Sequence, residues 1–380
     1  MRRTASSGRK ENRARSGKIT TAQGEFHTPA FMPVGTAGSV KALTCADLEE
    51  AGAEIVLGNS YHLYLRPGHE LISRHGGLAA FTGWNKPTLT DSGGFQVMSL
   101  SEKLKITDDG VTFASIHDGS MHHFTPERVI EIQIALGADI IMSFDQCPPA
   151  DCDRSFAITA LERTTAWAKR GKKYFDANAA TAPEENTQQL YGILQGWTDK
   201  ELRKQSAEEI TALDFPGYAI GGLAVGEDKN ILYDMTDYTA DLLPEDKPRY
   251  LMGVGYPEDI LQAVSCGVDM FDCVLPTRNA RTGLVFTSEG PLVFRNADCA
   301  DDNRPFDPNC DCKVCRRYSR AYIRHLYNQS EITAQILATY HSIYFYQKLM
   351  GNIRKAIASG VFDTFRKEFL ELYQSSKIGA

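Results

Sequence analysis

Met270-Phe271-Asp272-Cys273-Val274-Leu275-Pro276-Thr277-Arg278 is the stretch whose reading decides the fold. An apolar run of strand character ends in a carboxylate, with a proline and two arginines, Arg278 and Arg281, directly behind it. A potential nucleophile therefore stands at a strand end, beside groups suited to hold a phosphate. The layout recurs along the chain: a short apolar run closes on one polar residue.

Working outward, eight such runs can be counted: Ala30–Val34, Ile55–Leu57, Pro87–Thr90, Ile140–Phe144, Tyr191–Leu194, Tyr218–Ile220, Tyr250–Met252 and Val268–Phe271. They are nearly continuously apolar, as expected of parallel strands covered on both faces. Helix signals fall between them. Thr44 with Asp47 makes a capping box stopped by Gly52, Thr125-Pro126-Glu127 opens a helix that Gly137 ends, and Pro257-Glu258-Asp259 opens another that Gly267 ends. Alternating strands and helices give a parallel sheet, and eight repeats give an α/β fold of the (β/α)8 TIM-barrel type; a doubly wound open sheet is the alternative. Two stretches break the alternation. Residues 101–124, with the Asp109-Gly110 turn, read as a β-hairpin inserted after the third strand. Residues 286–345 hold a second hairpin around Gly290-Pro291 and then a cysteine cluster. The expected organisation is a basic, partly disordered tail over 1–18 and one catalytic domain over 19–380. That domain carries a metal-binding subdomain at about 290–345 and closing helices at about 344–378, the first of them from Tyr344.

Composition bounds the rest. With 380 residues, 42% of them hydrophobic, the chain can bury a large core, and a formal charge of −7 argues against a molecule basic throughout. Two patches are locally basic: residues 2–18 carry seven Lys/Arg and one Glu, and residues 313–326 carry five Lys/Arg and no acid. Arg2 and Arg3 are followed by no apolar stretch, so no secretory signal is expected, and no run approaches the ~18 apolar residues of a membrane span. Nine cysteines without an export signal imply a reducing, cytoplasmic setting, where clustered thiols bind metal more often than they form disulfides.

Functional residues of a barrel gather at the C-terminal ends of its strands. Those ends are Asn59, Asp91, Asp145, Gln195, Gly221-Gly222, Gly253 and Asp272. Any one aspartate there could merely cap the next helix; three in equivalent places beside glycines point to a site. In Asp91-Ser92-Gly93-Gly94-Phe95 the glycines let the backbone wrap a planar ligand on which Phe95 could stack. A carboxylate at 145 accepts from N–H groups while an amide at 195 can donate to a carbonyl, a pairing that suits a purine edge. Gly222 could add a backbone N–H, and Cys147 is a pocket wall or a buried small residue. Cys310, Cys312 and Cys315 place three thiols in six residues, which in a reducing compartment reads as zinc; Cys299, His325 and His341 are candidates for the fourth ligand. A closed site of that kind is structural, with the basic stretch beside it facing a polyanion or simply solvent.

The chain resembles the tRNA-guanine transglycosylases (queuine tRNA-ribosyltransferases) in their bacterial form, from about Thr20 onward. The likeness rests on Thr28–Thr36, Asn59–Leu63, Thr90–Val97, Ile220–Glu227, Met252–Gly255, Phe271–Arg281 and the cysteine cluster. It implies exchange of guanine at the wobble position of tRNAs with GUN anticodons (those for Asp, Asn, His and Tyr) for a 7-deazaguanine, within queuosine biosynthesis. Asp272 would be the nucleophile on the ribose and Asp91 the acid–base group. Asp145, Gln195 and Gly222 would bind the base, with Asp91, Ser92, Gly93, Gly94, Phe95, Cys147, Leu223 and Met252 completing that pocket. Gly253, Val254, Gly255, Tyr256, Pro257, Glu258 and Asp259, with Thr277, Arg278, Asn279, Ala280 and Arg281, would contact the tRNA anticodon stem-loop. Cys310, Cys312, Cys315 and His341 would hold one structural Zn2+. Cys147 and Val225 look bacterial, which favours 7-aminomethyl-7-deazaguanine (preQ1) over queuine. A homodimer through the zinc region is also implied. Gln146, Phe95, Thr282 and Ser342 depart from the commoner residues of the family.

Three other readings compete. A retaining glycosidase would present glutamates and aromatic sugar platforms at its strand ends. A non-catalytic tRNA-binding paralogue would lose the nucleophile or the pocket. A zinc hydrolase would need an open metal with His and carboxylate ligands.

Overall fold

The computed structural model describes residues 12–101, 103–178 and 188–375. A hairpin of β1 (Gly17–Thr21) and β2 (Gly24–Thr28) precedes β3 (Ala30–Met32) and β4 (Val34–Gly35). β5 (Val56–Gly58) and β6 (Thr88–Thr90) follow, and then β7 (Leu104–Ile106), β8 (Val111–Ala114) and β9 (Met121–Phe124). β10 (Ile140–Met142), β11 (Gln189–Leu194), β12 (Tyr218–Ile220), β13 (Arg249–Leu251) and β14 (Met270–Asp272) complete the main sheet. β15 (Val285–Thr287) and β16 (Gly290–Leu292) form a last hairpin.

The main sheet runs β3-β14-β13-β12-β11-β10-β6-β5-β4, parallel at every pairing. Its first and last members are two halves of one segment, Ala30–Gly35, so the ribbon closes on itself as an eight-stranded barrel. Pro33 divides that segment because it has no N–H to give a ladder; its carbonyl still accepts from Leu57 N–H at 3.0 Å. The eight runs found in the sequence are the eight barrel strands.

Each run carries two layers. Met32, Leu57, Leu89, Ile140, Met142, Tyr191, Ile193, Ala219, Tyr250 and Met270 cluster inside the barrel, together with Ile19 and Phe26 of the β1–β2 hairpin. The alternate residues Phe31, Ile141, Leu190, Ile220, Leu251 and Phe271 pack outward against helices. Period-two alternation of side chains thus splits a continuous apolar run between two cores. The basic N-terminal stretch falls largely on residues 1–11, outside the described residues. Its end is tied down: Arg15 Nε donates to Asp269 Oδ1 at 2.8 Å, and Arg13 pairs with Asp237 and Asp241.

The caps read from sequence are in place. Thr44 and Asp47 form a capping box, and Thr125 accepts from Arg128 N–H at the head of the helix Pro126–Leu136. The insertion after β6 has one strand more than a hairpin, an antiparallel β7-β8-β9 sheet, with Thr107 N–H bonded to Gly110 O at its turn. The closing helices are Ile332–Ala358 and Phe362–Ser375, so the first begins twelve residues before Tyr344. Its N-cap, Glu331, makes no side-chain cap bond, so no capping residue marks the start in the sequence. This helix lies against β3: the Phe31 and Tyr346 rings are 4.5 Å apart, and Gln347 donates to Phe31 O. Among the described residues no helix is long and apolar enough to cross a membrane.

Candidate active site and metal centre

Because the strands are parallel, Asn59, Asp91, Asp145, Gln195, Gly221, Gly253 and Asp272 all emerge at one end of the barrel. A pocket of about 540 Å³ opens there, lined by Asp91, Asp145 and Asp272, by Ser92 through Phe95, by Cys147, by Gly222 and Leu223 and by Met252. That volume takes a purine with room for the sugar that carries it.

Asp272 ends β14. Its Oδ1 accepts from Tyr250 Oη at 2.6 Å and from Gly253 N–H at 2.9 Å. No hydrogen bond from another described residue reaches Oδ2, so one oxygen is anchored and the other is available. Burial pushes the Asp272 carboxyl above its ordinary value, and the two hydrogen bonds oppose that.

Across the pocket, Asp91 Oδ2 accepts from Asn59 Nδ2 at 2.6 Å and Oδ1 from Ser60 N–H at 2.9 Å. Burial, with the Asp272 charge as a further contribution, lifts the Asp91 carboxyl to about 7. A carboxyl at that value can both give and take a proton near neutrality. Asp145 Oδ2 accepts from Gln195 Nε2 at 2.7 Å and Oδ1 from Ser92 Oγ at 3.2 Å; burial raises it to about 6.

Two glycines are obligatory. Gly222 has φ +66°, and a Cβ there would lie 2.2 Å from Gln195 Oε1, a buried acceptor with no partner. A Cβ on Gly94 would lie 2.7 Å from the Asp145 carbonyl oxygen. Phe95, 52% exposed, stands at the rim, where a ring can cover a planar ligand. The Cys147 thiol is pushed up to about 12 by burial, which keeps it neutral and makes it a wall of the pocket.

Other expected residues are placed differently. Gln195 is 1% exposed and lies behind the lining, acting through Asp145. Gly253, Val254, Gly255, Tyr256, Asp259 and Arg278 reach the pocket. Pro257, Thr277 and Ala280 are buried and support those segments, while Glu258 and Arg281 lie beside them. Gln146 faces away, with its Oε1 accepting from Arg163 at 2.6 Å.

Sequence reasoning missed three side chains. Tyr250 reads as one more apolar strand residue, although its place two before Met252 puts both on one face. Lys229 pairs with Glu258 and Asp259 and lies 5.0 Å over the Tyr256 ring, fixing the rim. Arg203 is fully buried. It donates to three carbonyls: Trp197 O at 2.8 Å, Gly221 O at 2.7 Å and Gly222 O at 3.1 Å. Burial pulls its guanidinium down to about 10, still charged at neutral pH. In the helix Lys200–Thr211 it shares a face with Ala207 and Ile210, and that i, i+4, i+7 spacing was the available signal.

On the flank, Cys310, Cys312, Cys315 and His341 bring their ligand atoms within 4.8 Å of one another. The fourth member is His341, on the helix Ile332–Ala358; Cys299 and His325 lie outside the cluster. The thiol sulfurs stand 3.7, 3.7 and 3.3 Å from His341 Nδ1. A tetrahedral ion with bonds of about 2.3 Å to sulfur and about 2.0 Å to nitrogen gives edges of about 3.5–3.8 Å, so the donor set fits a metal. His341 Nε2 is 3.0 Å from Phe286 O and donates there, which leaves Nδ1 as the free ligand atom.

Fold and pocket together define a (β/α)8-barrel protein whose carboxylates meet at the C-terminal mouth, with a four-donor metal cluster beside it. A family profile described as Queuine tRNA-ribosyltransferase matches residues 10–375. A queuine tRNA-ribosyltransferase of Caldanaerobacter subterraneus is 55% identical over 96% of both chains. That of Novosphingobium aromaticivorans is 52% identical over 96% of both, and that of Francisella tularensis 50% identical over 96% of this chain and 98% of its own. The chain belongs to the queuine tRNA-ribosyltransferase family.

Proposed function

We propose that this protein is a tRNA-guanine transglycosylase that replaces the wobble guanine of GUN-anticodon tRNAs with 7-aminomethyl-7-deazaguanine. The observation that carries the reading is one pocket in which Asp272 keeps an oxygen free while Asp91 faces it with a carboxyl near neutrality. Asp272 Oδ2 attacks C1′ of the ribose, the C1′–N9 bond breaks, and its electron pair leaves on guanine. Asp91 in its protonated form supplies the proton that guanine needs. The entering base then gives its ring N–H proton to Asp91 and attacks C1′, and the ester to Asp272 breaks, restoring the Asp272 carboxylate and the protonated Asp91. Retention of configuration follows from two displacements. Asp145, held by the Gln195 amide, accepts from the base's N1–H and exocyclic amine, and Gly222 N–H serves its carbonyl. A wobble base lies in a loop already free of a partner strand, which lowers the cost of extruding it.

The Cys3His cluster holds Zn2+ in this reading, a closed site that braces the flank and leaves no position for water. Exposed Ile332, Ile336 and Tyr322 on that flank support its being covered by a second copy of the chain. The enzyme would work in the cytoplasm, where its tRNA is.

The test is incubation with labelled guanine and tRNA, followed by denaturing electrophoresis with a slow-reacting base. Label at the wobble position and an enzyme–RNA adduct are expected. Free guanine without incorporation would convert the reading to hydrolysis, and tRNA binding with neither product would convert it to a non-catalytic binder.

A further inference from the structure

A second polar cleft, of about 390 Å³, lies between the loop that follows the helix Ser60–Leu65 and the hairpin formed by β8 and β9. It is outside the pocket that holds the three aspartates. Both walls grow from the C-terminal side of the barrel, one after β5 and the other after β6, so the cleft shares the face on which the pocket opens. The helix Ser60–Leu65 connects the two directly. Its N-cap Asn59 holds Asp91, and Tyr64 of its last turn forms a cleft wall, about 8 Å along the axis at ~1.5 Å per residue.

The cleft is built. Tyr64 Oη lies 2.9 Å from His122 Nδ1, His122 Nε2 2.8 Å from Ser120 Oγ, and Ser120 Oγ 2.7 Å from Asp118 Oδ1. This chain fixes the Tyr64 ring. On one side the ring stacks on His69 at 5.4 Å, and the Arg128 guanidinium lies 5.8 Å from its centre. His69 is only 6% exposed, yet its Nδ1 has no hydrogen-bond partner, a buried polar atom that nothing in the protein satisfies. Arg66 and Arg74 line the opening, are exposed, and make no side-chain hydrogen bond or ion pair with any described residue. Arg66, Arg74 and Arg128 line the cleft, Arg128 already paired with Glu131 at 2.8 Å; of the two acids that line it, Asp118 is engaged by Ser120 and Glu70 is exposed to solvent.

Converging guanidiniums with fixed hydroxyl and imidazole groups beside them suit a phosphate oxyanion, which accepts from such donors and offers none. We propose that this cleft is a phosphate-binding site that takes a backbone phosphate of the RNA strand whose base enters the pocket. The proposal rests on the transglycosylase reading for its ligand. In it, the free arginines hold the strand next to the extruded nucleotide and orient it without reading sequence.

The double variant Arg66→Ala/Arg74→Ala tests this, since neither side chain contributes to the fold. A fluorescent anticodon stem-loop should bind about tenfold more weakly, and the slope of log Kd against log salt should fall by about 0.7 for each phosphate no longer neutralised. KM for tRNA should rise in step, with kcat and KM for guanine within twofold of wild type. Unchanged stem-loop affinity and salt slope would overturn the assignment. Stem-loop binding needs no turnover, so the cleft is judged even if wild-type enzyme fails to exchange guanine, a result that would count against the function and not the cleft. Inorganic phosphate titrated by calorimetry separates the sources: saturable binding that disappears in the variant with RNA affinity unchanged marks a free-anion site and overturns the RNA ligand.

Discussion

At the mouth of the barrel three aspartates share a pocket; on its flank three thiols and an imidazole share a point. The two sets differ in what they leave over. At the mouth, hydrogen bonds saturate one oxygen of Asp272 and both of Asp91, yet Asp272 Oδ2 and Gln195 Oε1 take no hydrogen bond from any other described residue. Burial lifts Asp91 and Asp145 to about 7 and about 6. On the flank the four donor atoms face one another, His341 is fully buried, and its second nitrogen is occupied by Phe286 O. A site that must react keeps unspent acceptors and proton affinities near the working pH. A site that must only hold spends every donor on one centre.

The sharpest way to break this contrast is Asp272→Asn. Guanine exchange should fall by at least about four orders of magnitude, since the amide cannot form the ester. The melting temperature should stay within about 2 °C, because the substitution removes a charge that burial already disfavours. Labelled-guanine incorporation and circular dichroism on the same preparation decide it; retained turnover would falsify the nucleophile.

Cys312→Ala should give the opposite pattern. Bound metal should fall from one ion per chain to none by elemental analysis, with the midpoint lowered by at least about 5 °C. Exchange per folded molecule should survive at low temperature, because the cluster touches no atom of the pocket. A variant that keeps its metal would show that the cluster is not the ligand set, and one that folds normally but is inert would put the flank inside the chemistry.

A pH profile sharpens the mouth alone. In the proposed reaction Asp145 must be ionised to accept from the base, and burial raises its folded-state value from the ordinary carboxylate range to about 6. The acceptor is therefore present above pH 6 and lost as pH falls through it. kcat/KM for the free base should drop about tenfold per unit below that point. Asp145→Asn should lower kcat/KM about a hundredfold at pH 7.5 and flatten this limb. A limb that persists in the variant belongs to another group.

How much of this could be read from the chain depends on where chemistry sits relative to the backbone. The eight runs were legible because parallel strands bury both faces. Asp91, Asp145 and Asp272 were legible because each follows such a run, and strand ends of a barrel face one mouth. The three cysteines were legible from spacing, which is local. What stayed hidden depends on side-chain direction or on partners distant in sequence. Nothing in Tyr250–Met252 says that a tyrosine hydroxyl will meet Asp272, 22 residues later. Nothing at Glu331 says that a helix begins there and carries His341 to the thiols. The extra strand of the β7-β8-β9 sheet escaped because Met121–Phe124, with two histidines and exposed Met121, lacks a clear alternating signal.

The smallest effect is expected at Arg203, the residue that joins mouth to scaffold. A buried guanidinium without a carboxylate within ion-pair distance among the described residues is costly, and only its five rigid donors can serve three carbonyls at once. Two of those carbonyls belong to Gly221 and Gly222, so the fork holds the turn whose Gly222 N–H is proposed to address the base. Arg203→Lys keeps the charge and loses the fork. KM for the base should rise about threefold to tenfold while kcat and KM for tRNA stay within twofold. The split matters more than the size. A residue that merely supports the fold would move all three constants together with the melting curve. Arg203→Met, which leaves the carbonyls unpaired as well, should widen the base effect without acquiring a tRNA effect. If both substitutions change the two KM values equally, Arg203 serves the barrel and not the base pocket.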